Sequence, residues 1–114
     1  MRSPDQVHEW VLLYNWDDGL DPIWPVVEND ATEFATALLI YWRLDGPLFG
    51  QEPGANAEAS QLHALVEKRL LNGDYAKGSL RYDPVVDNGL SSIQVAKLKR
   101  SGVPKSLVEP DYDH

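Results

Sequence analysis

Histidine is the side chain that most often acts as a general base near neutral pH, and this chain has three: His8, His63 and His114. A hydrolytic triad needs a nucleophile held against such a base. The chain contains no G-x-S-x-G motif, which presents the nucleophilic serine in α/β-hydrolases. The histidines therefore predict no catalytic residues, and we expect neither an enzyme nor a bound cofactor.

Metal-dependent chemistry is the alternative that the acidic residues leave open. His8 begins an H-E-x-x-H pattern, but Leu12 occupies the place of the second zinc-binding histidine. The later acids do not fit the spacing of an EF-hand loop. A looser cation site at Asp17, Asp18 and Asp21, joined by His8, would suit a small metal-dependent hydrolase. Helix caps and turns explain the same carboxylates, so we predict no metal site.

Sites for nucleotides and for zinc bound through cysteine also lack their motifs. Residues 46–50 do not end in the G-K-[ST] sequence of a phosphate-binding loop. The chain has no cysteine, which excludes disulfides and cysteine-based zinc sites. Four tryptophans at helical spacing are typical of a core, and no basic groove accompanies them: Trp10, Trp16, Trp24 and Trp42.

Acidic residues outnumber basic ones and concentrate in the first half of the chain. The formal net charge is −8, with 18 acidic and 10 basic residues. Residues 1–60 hold 11 acidic and two basic residues, or −9, whereas residues 61–114 hold seven acidic and eight basic residues, or +1. Such a field repels nucleic acid and anionic lipid and attracts basic proteins. We therefore expect a basic protein partner, and neither nucleic acid nor membrane.

Length and composition indicate one globular domain. The chain has 114 residues, of which 43% are hydrophobic, and single domains cluster near about 100–150 residues. The longest apolar stretch, residues 35–42, is far shorter than the roughly 20 residues that cross a bilayer. No apolar run of signal-peptide length follows Arg2. We expect a single helical domain over residues 1–114, located in the cytoplasm.

The elements that must position any binding residues begin with two short helices. Ser3 is typical of a helix cap, and apolar residues then recur at helical spacing, which predicts a helix over residues 4–14. Asp21 is followed by proline in the same way, which predicts a second helix over residues 22–28.

The third helix is predicted to be the centre of the core. Asp30 and Glu33 form a D-x-x-E capping box at its start, and the residues that follow are apolar on almost every face. A helix of that kind is normally surrounded by other helices. The residues expected to pack on it are Trp10, Tyr14, Trp16, Val27, Leu62 and Leu65.

The second half of the chain predicts two more helices and a weaker element between them. A helix is expected over residues 56–71, and another begins at Ser91 or Ser92. Residues 73–83 alternate enough for a short β-hairpin, and the tail from residue 103 is expected to be irregular. The predicted fold is an all-α bundle of about five helices, with α+β as the alternative.

Two stretches of the sequence resemble a known family. Residues 15–19 read N-W-D-D-G, and residues 36–42 read T-A-L-L-I-Y-W. Together they resemble a family of small bacterial domains of unknown function, over about residues 8–82. The resemblance implies a mostly helical domain and assigns no catalytic residue. It also implies a likeness to immunity or accessory proteins that are encoded beside polymorphic toxin genes.

These observations favour a small acidic immunity protein that binds and neutralises a basic toxin domain, such as a nuclease. An accessory protein without a toxin partner and the metal-dependent hydrolase are the alternatives. The residues predicted to contact the partner are an aromatic anchor and the acids not assigned to helix starts: Asp17, Asp18, Glu28, Asp45, Glu52, Glu58 and Trp24. Asp21, Asp30 and Glu33 are excluded because helix starts account for them.

Overall fold

The computed structural model describes residues 3–44, 46–48 and 57–110, and these residues are all-α. They contain short 3-10 helices at Trp16–Asp18 and Gly46–Leu48 but no β-strand. No helix in these ranges is long and apolar enough to cross a membrane. The α-helices are α1 (Pro4–Leu13), α2 (Trp24–Glu28), α3 (Phe34–Arg43), α4 (Ala57–Asn72), α5 (Pro84–Asp87), α6 (Ser92–Arg100) and α7 (Lys105–Val108). The predicted all-α class is confirmed.

The five predicted helices correspond to α1, α2, α3, α4 and α6, and two short helices add to them. Helix α5 is capped by Asp83, whose side chain accepts the N–H groups of Val85 and Val86. Helix α7 lies in the segment predicted to be an irregular tail, so that prediction is wrong for residues 105–108. The reason is burial, because α7 removes Leu107 and Val108 from solvent.

The chain divides into two compact units, which we call the N-terminal unit (residues 1–80) and the C-terminal unit (residues 81–114). Helices α1 to α4 belong to the first and α5 to α7 to the second. The N-terminal unit contains 13 acidic and five basic residues, and the C-terminal unit contains five of each. The whole net charge of the chain therefore belongs to the N-terminal unit. That the two units act as one domain stays a prediction.

Helix α3 is the centre of the N-terminal unit, as predicted. Every residue from 35 to 42 is buried, and α1, α2 and α4 all pack against this helix. Of the six residues expected to pack around it, Val27 and Leu62 are fully buried and the others are partly buried. Removing this apolar surface from water is the main source of stability in a small helical unit.

Two of the helix caps are those that the sequence predicts. At α1, Ser3 Oγ accepts the N–H of Gln6 at 3.2 Å, and Gln6 Oε1 accepts the N–H of Ser3 at 2.9 Å. At α6, Ser91 and Gln94 form the same reciprocal pair. Each box satisfies two backbone donors that a helix start would otherwise leave without partners.

The cap predicted for α2 is wrong. Helix α2 begins after its N-cap residue Ile23, which makes no side-chain cap hydrogen bond. The carbonyl of Leu20 accepts the N–H groups of both Ile23 and Trp24, at 2.9 and 3.3 Å. Because the backbone of this turn already supplies the acceptor, the carboxylate of Asp21 has no capping role and remains exposed.

The capping box predicted for α3 is wrong as well. Glu33 is the N-cap residue, but neither it nor Asp30 caps the helix with its side chain. The Asp30 carboxylate instead forms an ion pair with Arg69. The buried Glu33 carboxylate accepts the N–H of Leu80 at 3.0 Å, 47 residues along the chain. Both carboxylates therefore bind groups that only the packing of the unit brings near.

The predicted hairpin over residues 73–83 is also wrong. Ala76 forms a single parallel bridge with Glu33, through Phe34 N–H to Ala76 O and Ala76 N–H to Thr32 O, both at 2.9 Å. The residues around the bridge form no strand. This segment pairs with the chain before α3 rather than with itself, because the bridge and the Glu33 carboxylate satisfy its backbone groups there.

The Glu33 carboxylate occupies the space that a side chain at residue 78 would fill, and Gly78 leaves that space open. A Cβ at residue 78 would fall 2.1 Å from Glu33 Oε1, so Gly78→Ala must displace the carboxylate from Leu80. We expect a loss of about 1–2 kcal/mol in the free energy of unfolding, the usual cost of breaking a buried hydrogen bond. Urea denaturation measures it.

The matched control is Gly78→Ala in a Glu33→Ala background, which completes a double-mutant cycle. In that background the added methyl group meets no carboxylate, and its cost should shrink to a few tenths of a kcal/mol. An equal cost in both backgrounds would show that Gly78 matters for its backbone conformation instead.

His8 connects α1 to α3 through a partly buried hydrogen bond. Its Nδ1 lies 2.8 Å from the hydroxyl oxygen of Thr36, a buried residue of α3. Burial lowers the pKa of His8 below the ordinary value of 6.5, although the nearby carboxylates of Glu33 and Asp5 oppose this shift. The folded protein thus favours the neutral imidazole.

The lowered pKa of His8 predicts a pH-dependent contribution to stability. Because the unfolded chain binds the proton more readily, this contribution is complete above about pH 6.5 and is lost as the pH falls below that value. His8→Gln should flatten the loss of unfolding free energy between about pH 7.5 and pH 5.5, measured by urea denaturation. A variant as pH-dependent as the parent protein would contradict this.

Candidate functional site

Three of the seven predicted contact residues come together where α2 meets α4. Trp24 is the first residue of α2, and its Nε1 donates a hydrogen bond to Glu58 Oε2 in the first turn of α4, at 3.3 Å. Glu28 ends α2 four residues after Trp24, so the two side chains are neighbours on the helix surface. We call Trp24, Glu28 and Glu58 the Trp24 surface.

The Trp24 surface combines an aromatic ring with exposed negative charge. Trp24 is partly buried, whereas Glu28 and Glu58 are exposed. A tryptophan of this kind offers a large contact area at little cost in side-chain entropy, because packing already restricts it. Carboxylates beside the ring favour a partner that places lysine or arginine around an apolar contact.

Arg69, which is not among the predicted contact residues, holds this surface in place. Its guanidinium donates to the backbone carbonyl of Glu28 at 3.1 Å, pairs with Asp30 and lies 5.0 Å from the centre of the Tyr75 ring. Tyr75 in turn donates to the carbonyl of Val27 at 2.6 Å, and burial raises its pKa to about 12. Arg69 thereby fixes the end of α2 to α4.

A pattern in the sequence could have revealed Arg69. It lies within the apolar stripe of α4, next to the buried Leu70 and one turn after the buried Val66. Its side chain is only 16% exposed. An arginine on the buried face of a helix needs acceptors on a neighbouring element, and here these are the carbonyl of Glu28, at the end of α2, and the carboxylate of Asp30.

Of the other predicted contact residues, Asp18 is the one with a described side chain, and it does not join the Trp24 surface. Asp18 is exposed and lines a cleft beside α1 whose lining does not include Trp24. Asp17 belongs to the 3-10 helix Trp16–Asp18, and its side chain is not described. Asp45 and Glu52 lie outside the described residues.

The cleft beside α1, which we call the α1 cleft, has a volume of about 550 Å³. The residues of its lining that matter here are Glu9, Trp10, Leu13, Tyr14 and Asp18. The rings of Trp10 and Tyr14 lie 5.0 Å apart between centres, with 32° between their planes. Both rings are predicted from the sequence to lie in the core, yet each keeps part of its surface at the cleft.

The Tyr14 hydroxyl anchors the loop that brings Asp18 to the α1 cleft. It donates to the carbonyl of Gly19 at 2.6 Å, and Gly19 has a φ of 97°, a conformation that favours glycine. Loss of solvent contact raises the pKa of Tyr14, and the carboxylates of Asp18 and Asp21 raise it further. The two carboxylates therefore add negative potential at the Tyr14 hydroxyl.

The geometry bears on the metal-dependent alternative at His8, Asp18 and Asp21, since the side chain of Asp17 is not described. Within the part of the chain that the structure describes, no three histidine or acidic side chains are close enough to hold a metal ion. His8, which that alternative places beside Asp17, Asp18 and Asp21, hydrogen-bonds to Thr36 instead.

The C-terminal unit contains a second cleft, of about 540 Å³, between its first residues and the end of α7. Arg81, Asp83 and Glu109 give its rim both signs of charge. Glu109 pairs with Lys99, and this partner lowers the pKa of the glutamate. No predicted contact residue lies in this unit.

A family model described as Domain of unknown function (DUF4274) matches residues 2–71. The matched residues lie within the N-terminal unit, and they include the Trp24 surface and the α1 cleft. No curated protein and no solved structure matches the chain.

Arg69→Met should loosen α2 from α4 without altering the apolar face of α4. We expect the free energy of unfolding to fall by about 1–3 kcal/mol, because the Glu28 carbonyl loses its partner and the contact with Tyr75 loses its charge. Urea denaturation measures the loss, and amide hydrogen exchange should show faster opening of α2.

The control is Lys68→Met, which removes the same charge from an exposed neighbour on α4. Its effect should stay within about 0.5 kcal/mol, as is usual at surface positions. Equal losses in the two variants would mean that Arg69 acts through net charge rather than through its contacts.

Proposed function

The chain belongs to the DUF4274 family, and we propose that it is a small acidic immunity protein that binds and neutralises a basic bacterial toxin domain. The observation that carries the proposal is the location of the charge. The N-terminal unit, which contains the family match, holds the whole net charge of −8. A partner with the opposite charge would be steered to this unit rather than to the C-terminal unit.

The Trp24 surface supplies the contact that would follow electrostatic encounter. Long-range attraction raises the rate of association, whereas the lifetime of a complex depends on buried aromatic and apolar contacts. Trp24 provides such a contact between two exposed carboxylates, Glu28 and Glu58. Arg69 restrains α2, so little ordering is needed when the partner binds.

A toxin that acts on nucleic acid is the partner that best fits this chemistry. Such an enzyme presents lysine and arginine where it holds phosphate, and these groups contribute most of its affinity for nucleic acid. An acidic protein that covers them would block the substrate by occupying the same cations. Inhibition of this kind requires affinity and shape but no catalytic residue in the inhibitor.

The first test uses the product of the gene that neighbours the gene for this chain. Its C-terminal domain should be basic, should arrest growth when expressed alone, and should form a complex with this chain at low salt. Co-expression of this chain should restore growth. Raising the salt from about 50 to 200 mM should weaken the complex strongly, because screening reduces the attraction between exposed charges.

Charge reversal on the Trp24 surface is the sharper test. Glu28→Lys combined with Glu58→Lys should raise the Kd of that complex by about 10- to 100-fold, because like charges would then meet at the contact. The matched control is Asp5→Lys combined with Asp74→Lys, which changes the net charge equally at two other exposed acids of the same unit. It should raise the Kd by less than about threefold.

Three outcomes would count against the proposal. A neighbouring product that forms no complex at low salt would overturn the toxin partner. Equal effects of the two double variants would overturn the Trp24 surface as the contact. A complex that leaves growth arrest unchanged would indicate an accessory protein that binds without neutralising.

A further inference from the structure

We infer that the α1 cleft binds an arginine side chain of the protein partner, which gives the N-terminal unit a second contact besides the Trp24 surface. This inference rests on the proposed function only in naming a protein as the source of the arginine. The rings, the carboxylates and the dimensions of the cleft are the grounds for expecting an arginine there.

The aromatic rings suit a flat cation. Trp10 and Tyr14 are in tilted ring contact, with 5.0 Å between ring centres and 32° between planes, and both contribute to the lining. A guanidinium group is planar and weakly hydrated, so it stacks on such rings more readily than an ammonium group does. Leu13, at 77% exposure, adds apolar surface that the methylene stem of an arginine can cover.

Two carboxylates define the charge of the cleft. Glu9 and Asp18 both lie in its lining and are exposed, and neither forms an ion pair within the described ranges. No lysine or arginine occurs anywhere between residues 3 and 42, so no cation from this stretch competes for them. A guanidinium above the rings could donate two parallel hydrogen bonds to a carboxylate, a geometry that a lysine cannot reproduce.

The charge and donor set of the cleft favour a cationic side chain over an anionic ligand or a metal ion. Its volume of about 550 Å³ lies within the range of about 300–1,000 Å³ that is common for ligand pockets, and it is open to solvent. An anionic ligand would be repelled by the carboxylates of Glu9 and Asp18. A metal ion would need more donors than the described residues bring together.

The contacts of Tyr14 fix the position of one wall of the cleft in the absence of a ligand. Its hydroxyl donates to the carbonyl of Gly19, and its ring meets Trp16 edge to face with 5.8 Å between centres. These contacts hold one wall of the cleft before any ligand arrives. Preorganisation of this kind reduces the entropy lost when a ligand binds.

The test uses two short peptides with capped ends, one alternating glycine with arginine and one alternating glycine with lysine. NMR titration of the isotope-labelled chain should show the largest shifts at residues of the α1 cleft. We expect the arginine peptide to bind at least about threefold more tightly than the lysine peptide. Asp18→Asn and Trp10→Leu should each weaken arginine binding by about 3- to 10-fold.

Asp74→Asn is the matched control, because it removes one exposed carboxylate from the same unit outside the cleft. Its effect on arginine binding should be less than about twofold. Circular dichroism at rising temperature checks that each variant is folded. If Trp10→Leu fails to fold, Asp18→Asn and the comparison of the two peptides still decide the inference.

Several results would overturn the inference. These are equal affinities for the two peptides, equal effects of Asp18→Asn and Asp74→Asn, or shifts that lie outside the cleft. Shifts that depend on protein concentration without any peptide would identify a second copy of this chain as the occupant. The peptide experiment needs no toxin, so a failure of the cleft and a failure of the proposed function can be told apart.

Discussion

The burial of helix α3 is the constraint on which the N-terminal unit depends. Eight consecutive residues, 35–42, are hidden from solvent, so every face of this helix needs a neighbour. Helices α1, α2 and α4 supply those neighbours. Each of them needs only one apolar face to do so, and their outer faces carry exposed acids: Asp5 and Glu9 on α1, Glu28 on α2 and Glu58 on α4. The same packing that buries α3 therefore contributes to the negative surface of the unit.

Two polar side chains of α3, Thr36 and Tyr41, help to set the orientation of the helices that pack against it. The Tyr41 hydroxyl donates to Glu67 of α4 at 2.9 Å, and the Tyr41 ring stacks on His63 of the same helix. Burial raises the pKa of Tyr41, and the bond to Glu67 raises it further, so the phenol stays protonated as a donor. Thr36 of α3 connects to α1 in a similar way, through its hydrogen bond with His8. Hydrogen bonds of this kind select one orientation among the many that would bury a similar apolar area.

Local patterns in the sequence predicted five of the seven described α-helices, but only some of the helix caps. The central position of α3 followed from its apolar residues, and Ser3 and Ser91 cap the helices that they precede. Asp30 and Glu33 match a capping box equally well, yet Arg69 and the Leu80 N–H bind them instead. A local cap competes with whatever partner the fold brings near, and the sequence around a carboxylate does not contain that partner.

Two kinds of information thus describe this protein. The sequence by itself determined the helical class, the central helix and the concentration of negative charge, because periodicity and net charge depend on residue type and local spacing. Only the tertiary structure decided which carboxylates face a partner and what lies beside them. The indole of Trp24 meets Glu58 across 34 residues, and Arg69 reaches Asp30 across 39. Contacts at such separations cannot be read from local spacing, since their geometry depends on how whole helices pack.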